Sequence, residues 1–523
     1  MNTNPRGRIQ RGRACLPCHL RKKKCDGEQP SCSGCIRSHI QCEYAPIPIA
    51  SDTAPSGQSR IQTLQSRVQE LEAVLNNMSM QTPQPSSRSP TPHSPLMDPY
   101  SGEVSGWLQD ILRPTMIANR RHYNLYLDIA TLRSPPQPLL HAMNLIACHI
   151  LSLSASSDTR PTLQELEDLK SALLKRIHSG IHMSLEGARD LIAGVVCAPA
   201  LAAQYLLQVG KFAEAHWLAS SAIRFAVSCG LHTTTSYSWS NDDNGSSPRS
   251  SSSSESGGTF LVPASSIREH YDRRMSWWLA FAANGMVEIV TELPSALRPE
   301  LRACIGDVES EIGRTRNIVT PFPLMEGPYE RSSPQLKISE LSVGELLLGN
   351  HSNPEDPSAS SIFAMRLKSM TFFGAATLLY DGSRISQQFG TDVFRRVDQN
   401  ISRFIDMLPS LAYHESTHVA APSASDAPVN PEMIVVYMLA YLAKIRLLGA
   451  NTVTNSSEHR LAVALSMGHL AAAFDETPHF SLAPLVIRCC SEALHIISPP
   501  DSVHDTELPE VNALRSLIDS LGR

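Results

Sequence analysis

The stretch CLPCHLRKKKCDGEQPSCSGCIRSHIQC, residues 15–42, sets six cysteines at Cys15, Cys18, Cys25, Cys32, Cys35 and Cys42. Their spacing is C-x2-C-x6-C-x6-C-x2-C-x6-C, and the first three repeat the pattern of the last three. Two tetrahedral zinc ions need eight ligand positions, and six thiolates supply them when two sulfurs are shared. A small disulfide-stapled domain is the competing use of an even cysteine count. The N-terminus Met1-Asn2-Thr3-Asn4-Pro5-Arg6 has no apolar run of the kind that directs secretion, which favours a reducing compartment and metal ligation. The segment has few apolar residues, chiefly Leu16, Leu20, Ile36 and Ile40. Structural zinc, worth on the order of 10 kcal/mol, takes the place of a core.

Together with Arg21-Lys22-Lys23-Lys24 before Cys25, and with Asp26-Gly27 and Pro30 before Cys32, the spacing resembles the fungal-type Zn(2)-C6 binuclear cluster of fungal transcription factors. The resemblance implies two zinc ions per chain. It implies that Cys15 and Cys32 bridge both, that Cys18 and Cys25 complete one site, and that Cys35 and Cys42 complete the other. It further implies a helix from His19 to Lys24 in the major groove of double-stranded DNA. Lys22, with Arg21 beside it, then reads guanine in a CGG-type triplet, and Arg13, His19, Lys23 and Lys24 contact phosphates.

Charge points the same way. From Arg6 to Lys24 there are eight Arg or Lys residues and no Asp or Glu. Residues 1–45 carry nine basic and three acidic side chains, a net +6, which leaves −11 of the total −5 to the rest of the chain. A local basic face beside an acidic body is the footprint of a nucleic-acid binder. The same basic run also suits nuclear import, and the expected location is the nucleus.

Outward from the cluster, residues 1–14 read as a basic arm and 43–60, with Pro46, Pro48 and Pro55, as an extended linker. Over 61–78, Ile61, Leu64, Val68, Leu71, Leu75 and Met78 alternate at three and four residues, with Arg67 and Glu72 at facing flank positions. This is a short coiled-coil seam or an amphipathic helix packed on the body. The family resemblance favours dimerisation, hence a homodimer on paired half-sites. Residues 79–103 are rich in Pro and Ser and read as a disordered linker, where Ser89, Thr91 and Ser94 precede prolines.

The expected fold class is mostly α: a small N-terminal binuclear zinc cluster, a short coiled coil and a large all-α regulatory domain over 104–498, joined by disordered linkers. Leu163, Leu166, Leu169, Leu173 and Ile177 make a helical stripe. Leu191–Gly210 is free of charge but contains Gly194, Pro199, Gln204 and Gln208, which favours two core helices broken near Pro199 over a membrane span. Met433–Ala443 is too short to span, and no membrane partner is expected. Cys148, Cys197, Cys229, Cys304, Cys489 and Cys490 show no ligand spacing and read as buried free thiols.

Tyr205-Leu206-Leu207, Lys211, Trp217, Ala222, Ala226 and Gly230-Leu231-His232, followed by Arg273-Arg274-Met275-Ser276-Trp277-Trp278, resemble the middle homology regulatory domain of the same fungal regulators. That resemblance implies an all-helical fold. Asn284-Gly285 stands where the family has Asp-Arg, and a Ser-rich loop, 236–259, interrupts the domain. Arg273, Arg274, Trp277 and Trp278 line an effector pocket or pack the core. The acidic segment 499–523, with Leu508, Val511, Leu514, Leu517 and Leu521, either recruits transcriptional coregulators or packs on the domain.

No G-x-S-x-G, G-x-G-x-x-G or phosphate-loop motif occurs. His414-Glu415-Ser416-Thr417-His418 satisfies H-E-x-x-H, which on a helix would place two imidazoles on a zinc with the glutamate as base. It lies between Pro409 and Pro422 in a Ser/Ala/Pro-rich stretch, so a zinc-dependent hydrolase with the cluster as targeting module is the alternative to a non-enzymatic, DNA-binding regulator of RNA polymerase II transcription.

Overall fold

The computed structural model describes residues 15, 18, 25, 31–38, 41–42, 95–98, 103–154, 161–187, 190–234, 261–262, 264–306, 317–323, 341–349, 358, 361–384, 389–409, 411, 430–450, 456–474, 481–498 and 508–522. Outside the described residues lie the proposed DNA-contacting side chains Arg13, His19, Arg21, Lys22, Lys23 and Lys24, the coiled-coil segment 61–78, the Ser/Thr-Pro sites, the Ser-rich loop and His414–His418. The chain divides into two compact units, residues 1–91 and 92–523.

In the first unit, the described residues form one short helix, α1 (Ser33–Arg37), beside the cysteines. The second unit is helical, and its described residues contain no strand beyond a single bridge between Met97 and Val104. Its helices are α2 (Gly106–Asn119), α3 (Ile129–Arg133), α4 (Gln137–Ser154), α5 (Leu163–Gly187), α6 (Ala198–Gln208), α7 (Phe212–Ser228), α8 (Ile267–Thr291) and α9 (Arg298–Gly306). They continue as α10 (Val343–Leu348), α11 (Ile362–Arg384), α12 (Thr391–Met407), α13 (Pro431–Ala450), α14 (Ser456–Ala472), α15 (Ala483–Ile497) and α16 (Pro509–Leu521).

Local chemistry sets many of these boundaries. Ser266 caps α8 by accepting from the Glu269 N–H, and Glu269 accepts from the N–H and hydroxyl of Ser265. A full capping box between Ser342 and Glu345 starts α10, and Gly349 ends it at φ 91°, a left-handed conformation that glycine adopts without strain. On α5 the expected stripe faces inward at Leu166, Leu169, Leu173 and Ile177, while Leu163 is exposed. A π-helical turn over Ile192–Cys197 leads into α6, where Pro199 occupies the first turn and needs no N–H partner. The backbone stays helical from Leu191 through Gln208, so the uncharged run is one helix that passes from π to α winding at Ala198, where the sequence suggested two helices broken near Pro199.

One apolar core runs through the second unit. Trp277 and Trp278 are fully buried in it, and Trp278 stacks on Phe322 with centroids 4.9 Å apart while its Nε1–H donates to the Pro321 carbonyl. These tryptophans pack the core. Gly285 lets α8 approach α11, since a Cβ there would sit 3.3 Å from Met370 Sδ. Asn284 donates to Ser295 Oγ at 2.8 Å. The six other cysteines are buried and free.

Among the described residues, two helices are long and apolar enough to cross a bilayer, Ile362–Ser383 and Pro431–Ala450, and 89% and 67% of their most apolar windows are buried inside the protein. α13 is longer than the apolar run Met433–Ala443 because its charged residues find partners. Lys444 Nζ donates to Asp398 and to Ser402 on α12, and the Arg446 guanidinium lies 4.5 Å from the Tyr380 ring centroid. Along its other side, Ser369 of α11 donates to the Val436 carbonyl at 3.1 Å. At the C-terminus, α16 packs against α14 and α15 through the buried Val511, Leu514 and Leu517.

Candidate metal centre

The cysteine cluster is built on α1. Cys32 is its N-cap residue, and its sulfur accepts the Cys35 backbone N–H at 3.4 Å. One turn of helix thereby brings Cys32 and Cys35 to the same side, which is what the two-residue spacing provides. The Cys32 N–H in turn donates to Cys42 Sγ at 3.4 Å.

The sulfurs of Cys15, Cys18, Cys32 and Cys35 all lie within 4.8 Å of one another, and all four residues are buried. Cys15 Sγ is 3.6 Å from Cys32 Sγ and 3.6 Å from Cys35 Sγ, and Cys18 Sγ is 3.6 Å from Cys32 Sγ. Cys25 Sγ sits 3.8 Å from Cys15 Sγ, and Cys18 to Cys35, at 3.9 Å, is the widest of these separations. Four sulfurs on a tetrahedral metal at about 2.3 Å stand about 3.8 Å apart, so the thiols are already spaced as zinc ligands. Cys25 and Cys42 are half-buried and flank the four, and Cys42 accepts the Cys32 N–H.

Electrostatics splits the set. The Cys35 N–H holds the Cys32 thiol below its usual range, and the Cys32 N–H does the same for Cys42. Burial pushes the Cys15 and Cys35 thiols up, Cys35 to about 12. Ligation requires thiolates, so the N–H donors ready two sulfurs while the buried ones need a cation at the centre to ionise. Among the described residues, the apolar packing at the centre is made by the cysteines themselves. This donor set fits zinc. The backbone donors at Cys32 and Cys35 are contributors that the cysteine spacing does not display. Gly34 is not a steric requirement, because a Cβ there would meet Cys18 Sγ at an ordinary 3.6 Å.

Comparison with known proteins places this segment. The family model of the fungal Zn(2)-Cys(6) binuclear cluster domain matches residues 13–49. The chain is similar to the transcription factor kojR of Aspergillus flavus, 44% identical over 64 residues that make up 12% of this chain and 11% of that protein. It is also similar to the transcription factor FBD3 of Gibberella moniliformis, 50% identical over 44 residues, or 8% of this chain and 6% of that protein. A third relative is the Zn(2)-C6 fungal-type transcription factor FTF1c of Fusarium oxysporum f. sp. lycopersici, 52% identical over 31 residues, or 6% of this chain and 3% of that protein. The matches thus span about a tenth or less of these relatives' length. No solved structure matches the chain. Residues 13–49 carry a Zn(2)-Cys(6) binuclear cluster domain, a domain that binds two zinc ions.

Proposed function

We propose that this chain is a nuclear, sequence-specific transcription factor that binds double-stranded DNA through its zinc cluster. The observation that carries the reading is the packing of Cys15, Cys18, Cys32 and Cys35 at ligand spacing, in a segment that matches the cluster domain. The names of the relatives and the basic run Arg21–Lys24 support it. Bound zinc supplies the cross-links that hold a segment too poor in apolar residues to fold by burial. Within the cluster, Cys15 and Cys32 bridge, Cys18 and Cys25 complete one site, and Cys35 and Cys42 the other.

On DNA, Lys22 donates to guanine O6 and N7 of a CGG-type triplet with Arg21 beside it, while Arg13, His19, Lys23 and Lys24 neutralise phosphates. The segment 61–78 pairs two chains, and the helical unit behind it acts as a middle-homology regulatory domain that meets transcriptional coregulators. Selection of bound duplexes from a random pool tests this reading. Wild-type protein is expected to enrich CGG-type triplets, and a zinc chelator is expected to abolish the enrichment. Lys22→Ala should lose about 1–3 kcal/mol of discrimination between CGG and a mutated triplet, whereas Lys24→Ala should weaken both duplexes alike. Equal losses for the two variants would overturn the assignment of Lys22.

A further inference from the structure

A cavity of about 520 Å³ opens between α4, the π turn Ile192–Cys197 and the first half of α8. Its volume lies within the range of small-molecule sites. Leu127, Leu139, Leu191, Ile192 and Leu261 supply apolar wall, and Thr131, Cys197, Asp272 and Ser276 supply polar groups. Cys197 Sγ donates to Ser276 Oγ at 3.2 Å, and Ser276 donates to the Asp272 carbonyl at 2.7 Å, so the hydroxyl and thiol are spoken for.

Asp272 is the group left with chemistry to offer. Its Oδ1 accepts the Asp128 N–H at 2.7 Å and its Oδ2 accepts the Thr131 hydroxyl at 2.6 Å, which fix the carboxylate in place. No arginine, lysine or histidine among the described residues forms an ion pair with it. The two cations of the wall are engaged elsewhere, Arg268 with Asp128 and Arg273 with Glu269. Burial pushes the Asp272 carboxyl above its usual range, against the hydrogen bonds from Asp128 N–H and Thr131 and the more distant pull of Arg268.

The backbone around the cavity is unusual in two independent ways. Asp190, on the rim, is a non-glycine residue at φ 50°, and the wall beyond it is a π turn rather than α-helix. Both features cost free energy and concentrate at binding sites. The close approach behind the wall is equally constrained, since a Cβ on Gly194 would fall 2.0 Å from Ser184 Oγ.

We propose that this cavity binds a small amphipathic amine, its ammonium paired with Asp272 and its apolar body against Leu139 and Ile192. The amine supplies the direct ion pair that Arg268, engaged with Asp128, does not make to Asp272, and a partly desolvated ion pair of this kind rewards a cation over a neutral isostere. An anionic ligand would face the lining carboxylates of Asp190 and Asp272 instead, with Arg268 and Arg273 already paired to Asp128 and Glu269.

Fluorescence titration of the full chain with dansylcadaverine, a primary amine on an apolar ring system, tests the site without involving DNA, so its outcome is separate from that of the DNA-binding reading. Saturable binding is expected, at least tenfold weaker for N-acetyl-dansylcadaverine and for Asp272→Asn, and lost in Ala193→Trp, which fills the cavity. If Asp272→Asn fails to fold by circular dichroism, the amine-against-amide comparison on wild type and the Ala193→Trp variant carry the test. Absence of saturable binding, equal affinity for amine and amide, or binding unchanged by Ala193→Trp would overturn the proposal.

Discussion

Arg366 Nη2 on α11 donates to Asn124 Oδ1 at 2.6 Å across 242 residues of sequence, deep in the helical unit. The guanidinium is fully buried, Nη1 lies 3.6 Å from Glu432 Oε2, and Asn124 passes the connection on by donating to Gln204 Oε1 at 2.9 Å. Asn124 holds this position at φ 57°, where asparagine is among the better-tolerated residues. Three helices and the loop after α2 therefore meet at one polar centre.

Removing the charge at that centre is expected to be costly. Arg366→Ala leaves Glu432 without its buried partner and Asn124 without a donor, and should destabilise the helical unit by about 3–5 kcal/mol. Urea unfolding of the full chain followed by circular dichroism checks it, and a midpoint shift worth less than about 1 kcal/mol would reduce the pair to a surface-like role.

Glu288 gives the unit a pH dependence of definite sign. The carboxyl is buried on α8, and burial pushes it up to about 7, against the pull of Arg298 and the hydrogen bond from Ser295, with Asp381 and Arg446 also facing it. A carboxyl raised in the folded state favours folding most when protonated, so this contribution is intact below the ordinary value of 4.5 and is lost as pH rises toward 7. The loss approaches about 3 kcal/mol. Denaturant midpoints at pH 5, 6, 7 and 8 should fall more steeply for wild type than for Glu288→Gln, and parallel curves would show that Glu288 titrates normally.

The contact between the π turn and α5 predicts a coupled pair. Gly194→Ala drives its Cβ into Ser184, whose Oγ and Cβ stand 2.0 and 2.7 Å from that position, and should cost about 1–3 kcal/mol. Ser184→Gly removes the obstacle, so the double variant should recover most of that loss in a double-mutant cycle. Additive losses would mean that the turn relaxes by another route.

The C-terminal helix is expected to act on stability before it acts on transcription. Leu514 is fully buried against the preceding helices, and Leu514→Ala should cost about 2–5 kcal/mol. Deletion of residues 499–523 should accordingly lower protein level, and reporter output per molecule separates packing from coregulator recruitment. An unchanged protein level with lost output would favour recruitment.

The parts of this structure that follow local rules were legible in the sequence. Six cysteines at fixed spacing announce their cluster and the stripe Leu166 to Ile177 announces α5, whereas the break expected near Pro199 is only a change from π to α winding within one helix. What escaped depends on residues far apart in the chain. Lys444 and Arg446 read as the end of an apolar run, but Asp398 and Tyr380 hold them inside a 20-residue helix. Trp277 and Trp278 already read as core more than pocket, but the partners that enclose Trp278, Phe322 and the Pro321 carbonyl, lie more than forty residues away in sequence. Arg366 carried no signal, because its partners Asn124 and Glu432 belong to other helical segments. In the cluster, side-chain identity gave the ligands, but the N–H donors from Cys32 and Cys35 are backbone features common to any residue.

The zinc content of the purified chain, counted by inductively coupled plasma mass spectrometry against protein concentration, tests the central claim most directly. Two zinc ions per wild-type chain are expected, with both lost from a Cys15→Ser, Cys32→Ser double variant and both retained in His414→Ala. A zinc-free wild-type chain with its six cysteines paired in disulfides, or zinc that survives the double variant but falls in His414→Ala, would contradict it.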